Sequence, residues 1–299
     1  MQLAAAVPCL LAAAACSSPN PTATSALRTQ PNVQGTVFTI VFENENSDAI
    51  IGNPAMSFFN AFSQQNGSAT KYTSRTHPSL PNYIELTSGS TNGVNNDNDP
   101  TYAVKVFGNQ NLPDQLDAGG IQWRAYMEGM GAPCNMTSSG VYSAHHNPFL
   151  YYTSIVDDPA RCNDRVVDYD QHFAEDLASN TYRYMWITPN MCNNMHDCPP
   201  AVADQWLERT VKTIQESPGY KNGGAIFVLF DEGSLRVFGA GASLATIVAS
   251  PNLVAPSYTT STAFDHRSYV ATVEDIFGLP RLPTTERSSS MDEFFTAKP

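Results

Sequence analysis

Four short stretches of the chain are apolar at nearly every position rather than at alternate ones: residues 36–42 (TVFTIVF), 184–188, 225–230 (AIFVLF) and 245–249 (ATIVA). A strand with no polar face must be covered on both sides, which is the situation of a parallel sheet between layers of helix. Two segments with helical spacing supply such covers. In residues 203–217, Ala203, Trp206, Leu207, Thr210, Val211 and Ile214 share one face, and Pro218-Gly219 ends the run. In residues 268–277, Val270, Val273, Ile276 and Phe277 do the same before Gly278. The pattern predicts an α/β fold, a doubly wound and mainly parallel sheet with helices on both faces, whose ligands bind beyond the carboxyl ends of the strands. A length of 299 residues suits one such domain.

The beginning of the chain differs in character. Residues 1–16 (MQLAAAVPCLLAAAAC) form an apolar run ending in small residues, as a signal peptide does, and the run is too short to span a bilayer. Cys16 after four alanines leaves lipid attachment as the rival reading. Residues 17–32 are rich in Ser, Thr, Pro and Asn without an apolar period, and read as a flexible leader before a single domain at 33–299. The remaining cysteines, Cys134, Cys162, Cys192 and Cys198, form an even set that suits an oxidising compartment. Pairing Cys134 with Cys162 and Cys192 with Cys198 closes the shortest loops; the alternative is a zinc site of Cys192, Cys198 and His196. Sequons at Asn66 and Asn135 agree with secretion. The expected location is secreted or extracellular, with cell-wall association as a variant. A formal charge of -12 opposes nucleic acid and anionic membrane partners, and no later stretch is apolar enough for stable membrane insertion.

Two of the predicted strands end in acidic and amide side chains: Glu43 and Asn44 after residues 36–42, Asp231 and Glu232 after residues 225–230. Parallel strands place both pairs on the same edge, where hard oxygen donors suit one divalent cation; taken singly, each pair is equally consistent with capping a loop. The segment Thr76-His77-Pro78-Ser79-Leu80-Pro81-Asn82-Tyr83 reads as the entry to a short helix. Ser79 then sits on a solvent-facing turn at a helix N-terminus, where backbone N–H groups and the helix dipole favour a phosphate, and Asn82 offers its amide from the same turn. Imidazoles to protonate a leaving alkoxide are available at His145, His146, His196 and His266, with His77 a further candidate beside Ser79. His145 and His146, if in a strand, face opposite sides. His172 reads as surface, and residues 95–99 (NNDND) as a solvated loop rather than a calcium site.

Taken in order, FENENSDAIIG, HPSLPNYIELTSGS, AYMEGMGAPC, YSAHHNPFLYY, ITPNMCNNMHDC, VLFDEG and IFGLP resemble the phosphoesterase family of secreted acid phosphatases and bacterial phospholipases C, related to the alkaline phosphatase superfamily. The resemblance spans nearly all of residues 36–282. It implies Glu43, Asn44, Asp231 and Glu232 as ligands of a divalent metal, Ser79 as the metal-bound nucleophile, and Asn82, His145, His146 and His196 around the phosphate. Ser-Leu-Pro-Asn also looks like the Thr-Phe-Pro-Asn turn of nucleotide pyrophosphatases, which favours Ser79 over Ser74, Ser88 or Ser90. His266 matches a superfamily metal histidine only loosely, and the acidic partner of a second metal near Asn190 is missing. SLRVFGAGAS after Glu232 departs from the family pattern. The expected activity is hydrolysis of small phosphate monoesters through a serine nucleophile. A phosphodiesterase or phospholipase C activity on the same site is the alternative, and a secreted binding protein without turnover is the third.

Overall fold

The computed structural model describes residues 30–101, 110–234 and 242–298. The expected signal peptide at 1–16 with Cys16, most of the expected leader at 17–32 and the segment at 235–241 lie outside the described residues. Residues 30–32, expected within the leader, belong to the folded body. Pro31 bridges Ala297 in antiparallel fashion, the Asn32 N–H donates to the Thr296 carbonyl at 2.8 Å, and the Lys298 N–H donates to the Gln30 carbonyl at 2.9 Å.

In chain order the strands are β1 (Val37–Phe42), β2 (Ser68–Thr73), β3 (Trp123–Met127), β4 (Val166–Asp168), β5 (Tyr184–Thr188), β6 (Ala225–Phe230), β7 (Ser243–Leu244), β8 (Ile247–Ala249) and β9 (Thr259–Asp265). The helices that frame the site are α1 (Ser57–Gln65), α2 (Ser79–Ser88), α3 (Tyr169–Ser179), α4 (Pro200–Glu216) and α5 (His266–Phe277). The main sheet has the order β4-β3-β5-β1-β6-β8, and its first five strands are parallel. β1 lies in the middle with every residue buried, which is why VFTIVF carries no polar face. Each large apolar side chain removed from water there contributes about 1.5–3 kcal/mol.

Alternate residues of β1 meet different helices. Thr39 hydrogen-bonds Tyr269 of α5 at 2.6 Å, while the Phe42 ring meets Trp206 of α4 edge-on at 6.2 Å. The sheet is therefore covered on both faces, as its continuous apolar runs require. One expectation is corrected: the run at 245–249 is not another parallel strand. Only Ile247–Ala249 is extended, as β8, and it pairs antiparallel with β6 at the edge. A second, small sheet of order β7-β2-β9 went unseen in the sequence, since its strands are short or half exposed. It matters for the site because β2 leads into α2 and β9 leads directly into α5.

The disulfides join Cys134 to Cys162 and Cys192 to Cys198, so the zinc reading of Cys192, Cys198 and His196 is excluded by the covalent bond. The first closes 28 residues and the second 6. In the chain-entropy view a loop of the larger size contributes about 3–4 kcal/mol. The paired change Cys134→Ser/Cys162→Ser should therefore lower the unfolding free energy by about that amount, read from denaturant midpoints; an unchanged midpoint would show that the bridge adds nothing.

Candidate active site

Parallel register brings the acidic strand ends together. Phe42 pairs with Phe230, so Glu43 and Asp231 emerge side by side at the carboxyl edge, and the Asp231 N–H donates to the Phe42 carbonyl at 3.0 Å. Asn44 turns the chain away with φ 56°, and its N–H donates to Asp231 Oδ1 at 3.2 Å. Glu232 follows, its own N–H bonded to the same oxygen at 2.6 Å. Glu43, Asp231 and Glu232 are all buried.

Ser79 is the first residue of α2, which ends where Gly89 takes the left-handed conformation. The hydroxyl does not face solvent as expected. It is buried and donates toward Glu43 Oε2 at 3.0 Å and Glu232 Oε1 at 3.2 Å. Asn82 stands one turn further along α2, but its amide is engaged within the protein, donating to the carbonyls of Thr76 and Pro78 and to Glu232 Oε2 at 3.1 Å. His77 Nδ1 lies 2.8 Å from that same Glu232 oxygen.

The histidines approach from the other wall. His145 and His146 are not in a strand but in a single 3-10 turn, Ala144–His146, and they diverge: His146 is buried, and His145 is partly open beside Ser143 and Asp99. His146 Nε2 lies 3.3 Å from Glu43 Oε1, and its ring stacks on Tyr83 with centroids 5.2 Å apart. His196 sits 5.8 Å from His146 by centroids and is partly exposed, with Nδ1 2.7 Å from Asp197. His266 stands apart from this set. Its Nε2 donates to the Asp231 carbonyl at 2.5 Å and its Nδ1 accepts from the Tyr72 hydroxyl at 3.1 Å, which leaves no ring nitrogen for a metal. Through the backbone carbonyl it acts as a support for Asp231.

Burial governs the electrostatics. It pushes the Glu43 carboxyl well above the usual carboxylate range, with the Asp231 charge adding to the effect. Asp231 is raised to about 6 by burial, and Glu232 to about 9 by burial and then by the Asp231 charge. Burial also holds His146 well below its usual value, with His145 and His196 adding like charge, and burial lowers His77 and His266.

Among the described residues, no three His, Cys, Asp or Glu side chains are already drawn together as a coordination shell. The donors nevertheless fit a hard cation. Glu43 Oε1, Asp231 Oδ2 and Asn82 Oδ1 are buried without a hydrogen-bond partner among the described residues, and three carboxyls share one corner with a hydroxyl. Uncompensated buried oxygens of this kind are costly unless a positive charge meets them.

Three contributors escaped the sequence reading. Asp97, from the loop taken as merely solvated, accepts from the Leu80 N–H at 2.9 Å and so caps α2 beside Ser79. Asn194 and Glu128 lie inside the motifs named above, yet neither carries a signal of its own; Glu128 follows β3 at this edge, and the Asn194 carbonyl accepts from the Glu43 N–H.

The Phosphoesterase family profile matches residues 64–280. A phosphate-repressible acid phosphatase of Penicillium chrysogenum is 30% identical over 225 residues, covering 71% of this chain and 52% of that protein. A phosphatidylinositol-3-phosphatase of Mycobacterium tuberculosis is 26% identical, covering 82% of this chain and 77% of the relative. The chain spans about half the length of the fungal acid phosphatases it matches. In fold it is similar to an alkaline phosphatase superfamily protein from Vibrio parahaemolyticus, with a TM-score of 0.58 at 12% identity, covering 86% of this chain and 70% of that one. The matched profile covers most of the chain, from before the helix-borne Ser79 to beyond α5, and the chain belongs to the Phosphoesterase family.

Proposed function

We propose that the protein is an extracellular, metal-assisted acid phosphatase that hydrolyses small phosphate monoesters through Ser79. The observation that carries this reading is the Ser79 hydroxyl at the first turn of α2, held between Glu43 and Glu232 and faced by the His146 and His196 wall. The names of the matched relatives, acid phosphatase and phosphatidylinositol-3-phosphatase, support removal of a phosphate. The two disulfides support an oxidising location.

Glu43, Asn44, Asp231, Glu232 and Ser79 would hold one divalent cation, which when bound polarises a phosphoryl oxygen and lowers the proton affinity of the serine hydroxyl. The side chains do the rest. Ser79 Oγ releases its proton along its bonds to the carboxyls and attacks phosphorus, forming a phosphoserine as the ester oxygen departs. His196, which is partly exposed, delivers the proton that the departing alkoxide needs, while His146, held neutral by burial, faces Glu43 beside it. Water then attacks the phosphoserine, returning Ser79 and releasing phosphate. His145 and Asn82 complete the walls around the phosphoryl group, and His266 holds the Asp231 carbonyl.

A panel of aryl phosphate, its diester and phosphatidylcholine, assayed with the mature protein across pH, tests the substrate class. The monoester should be cleaved fastest, at acidic pH. Faster cleavage of the diester or the lipid would replace the phosphatase reading by a phosphodiesterase or phospholipase C.

A further inference from the structure

Glu128 follows β3 at the same sheet edge as the site and is buried, yet it touches none of the groups assigned to the reaction. Both of its oxygens are filled by donors. Oε1 accepts from Trp206 Nε1 at 3.0 Å and from Asn193 Nδ2 at 2.8 Å; Oε2 accepts from the Asn190 N–H at 2.9 Å and from Asn193 Nδ2 at 2.9 Å. Only a carboxylate satisfies such a set, since an amide would turn its own hydrogens against N–H groups. Burying an acid to hold a loop that apolar packing would hold more cheaply needs a reason.

The reason lies in the loop it grips. Within residues 190–198 the disulfide between Cys192 and Cys198 closes a loop that carries Asn194, which is fully buried. Asn194 meets three parts of the site at once. Its carbonyl accepts from the Glu43 N–H at 3.0 Å, its Oδ1 accepts from the His196 N–H at 2.9 Å, and its Nδ2 points at His146 Nδ1 from 3.5 Å. Between Asn194 and His196, Met195 is held at φ 82°, a conformation that a non-glycine residue keeps only where its surroundings impose it.

We propose that Glu128 is a positioning residue of the phosphoryl site, fixing the loop after β5 so that Asn194 holds His146 and His196 in register with Ser79. The proposal rests on the reading that these imidazoles serve the reaction. Glu128 then acts on leaving-group protonation, the step most sensitive to where an imidazole stands.

The test compares Glu128→Gln with the parent on p-nitrophenyl phosphate, whose leaving group needs little protonation, and on glycerol 2-phosphate, whose alkoxide needs a proton. Displacement of the acid by part of an ångström should lower kcat on the alkyl ester by about 10- to 100-fold, with a much smaller loss on the aryl ester. In a His196→Ala background the same change should add less than about threefold, because both act through one group. Asn193→Ala, which cuts two of the four bonds without disturbing the acid, should give the same pattern more weakly and serves if Glu128→Gln fails to fold. Equal losses on both esters, losses that multiply fully with His196→Ala, or no loss at all would each overturn the proposal. Full activity in Ser79→Ala or His196→Ala would instead remove the phosphoryl-site reading, and this proposal with it.

Discussion

Ser79→Ala should lower kcat by at least about a thousandfold, the range seen when the nucleophile is removed from a preorganised site. The change deletes one atom, but that atom is the donor shared by Glu43 and Glu232. Two buried carboxyls losing a hydrogen-bond partner should cost about 1–3 kcal/mol of stability in the cation-free protein. Inorganic phosphate should still bind, because His145, His146 and His196 are untouched. Acid quenching of the parent with labelled substrate should trap phosphate on Ser79, and the variant should trap none. Retention of more than about a tenth of parental turnover would make a metal-activated water the nucleophile and leave Ser79 as part of the helix cap.

The second large effect concerns the cation. Stripping divalent ions should abolish turnover and also leave a pH signature in stability. Asp231 and Glu232 have folded-state values of about 6 and about 9, above those of an unfolded chain, and Glu43 is raised in the same direction. Between about pH 4 and pH 9 the folded, cation-free protein therefore holds protons that the unfolded chain has already released. Its stability is greatest below the normal carboxylate range and falls as pH rises, as the clustered carboxyls are forced to ionise. A bound cation takes the place of those protons. The melting temperatures of stripped and reloaded protein should then diverge steadily from pH 5 to pH 9, with turnover returning on reloading. A gap that stays constant with pH, or full turnover in stripped protein, would refute the metal role of this cluster.

The sequence carried the centre of the sheet well, because β1, β5 and β6 are buried on both faces and show this as unbroken apolar runs. Its edges were less legible. Val166–Asp168 is three residues long, and the half-exposed Thr-rich strand at Thr259–Asp265 looks like loop until its partner Ser68–Thr73 is known. At the site, Glu43, Ser79, Asp231 and Glu232 were visible because each follows or opens a recognisable element. The state of Ser79 was not, since its burial comes from residues 36 and 153 positions away. His266 shows the same limit: beside Asp265 it resembles a ligand, and only the contact with the Asp231 carbonyl reveals a support.

The bridge between Pro31 and Ala297 makes the described body nearly a closed ring, with its seam where β1 and β6 begin. The carboxyl cluster of Glu43, Asp231 and Glu232 lies at the other end of these strands. A tether attached at Pro31 or Ala297 therefore leaves from one patch, at the end of β1 and β6 opposite the carboxyl cluster. Immobilisation on a bead or display from a cell surface through either end would keep the carboxyl edge of the sheet turned away from the support. A short peptide joining the two ends would add little closure entropy, so the ring can be sealed there and reopened at the exposed turn of residues 119–120 without crossing the carboxyl edge of the sheet.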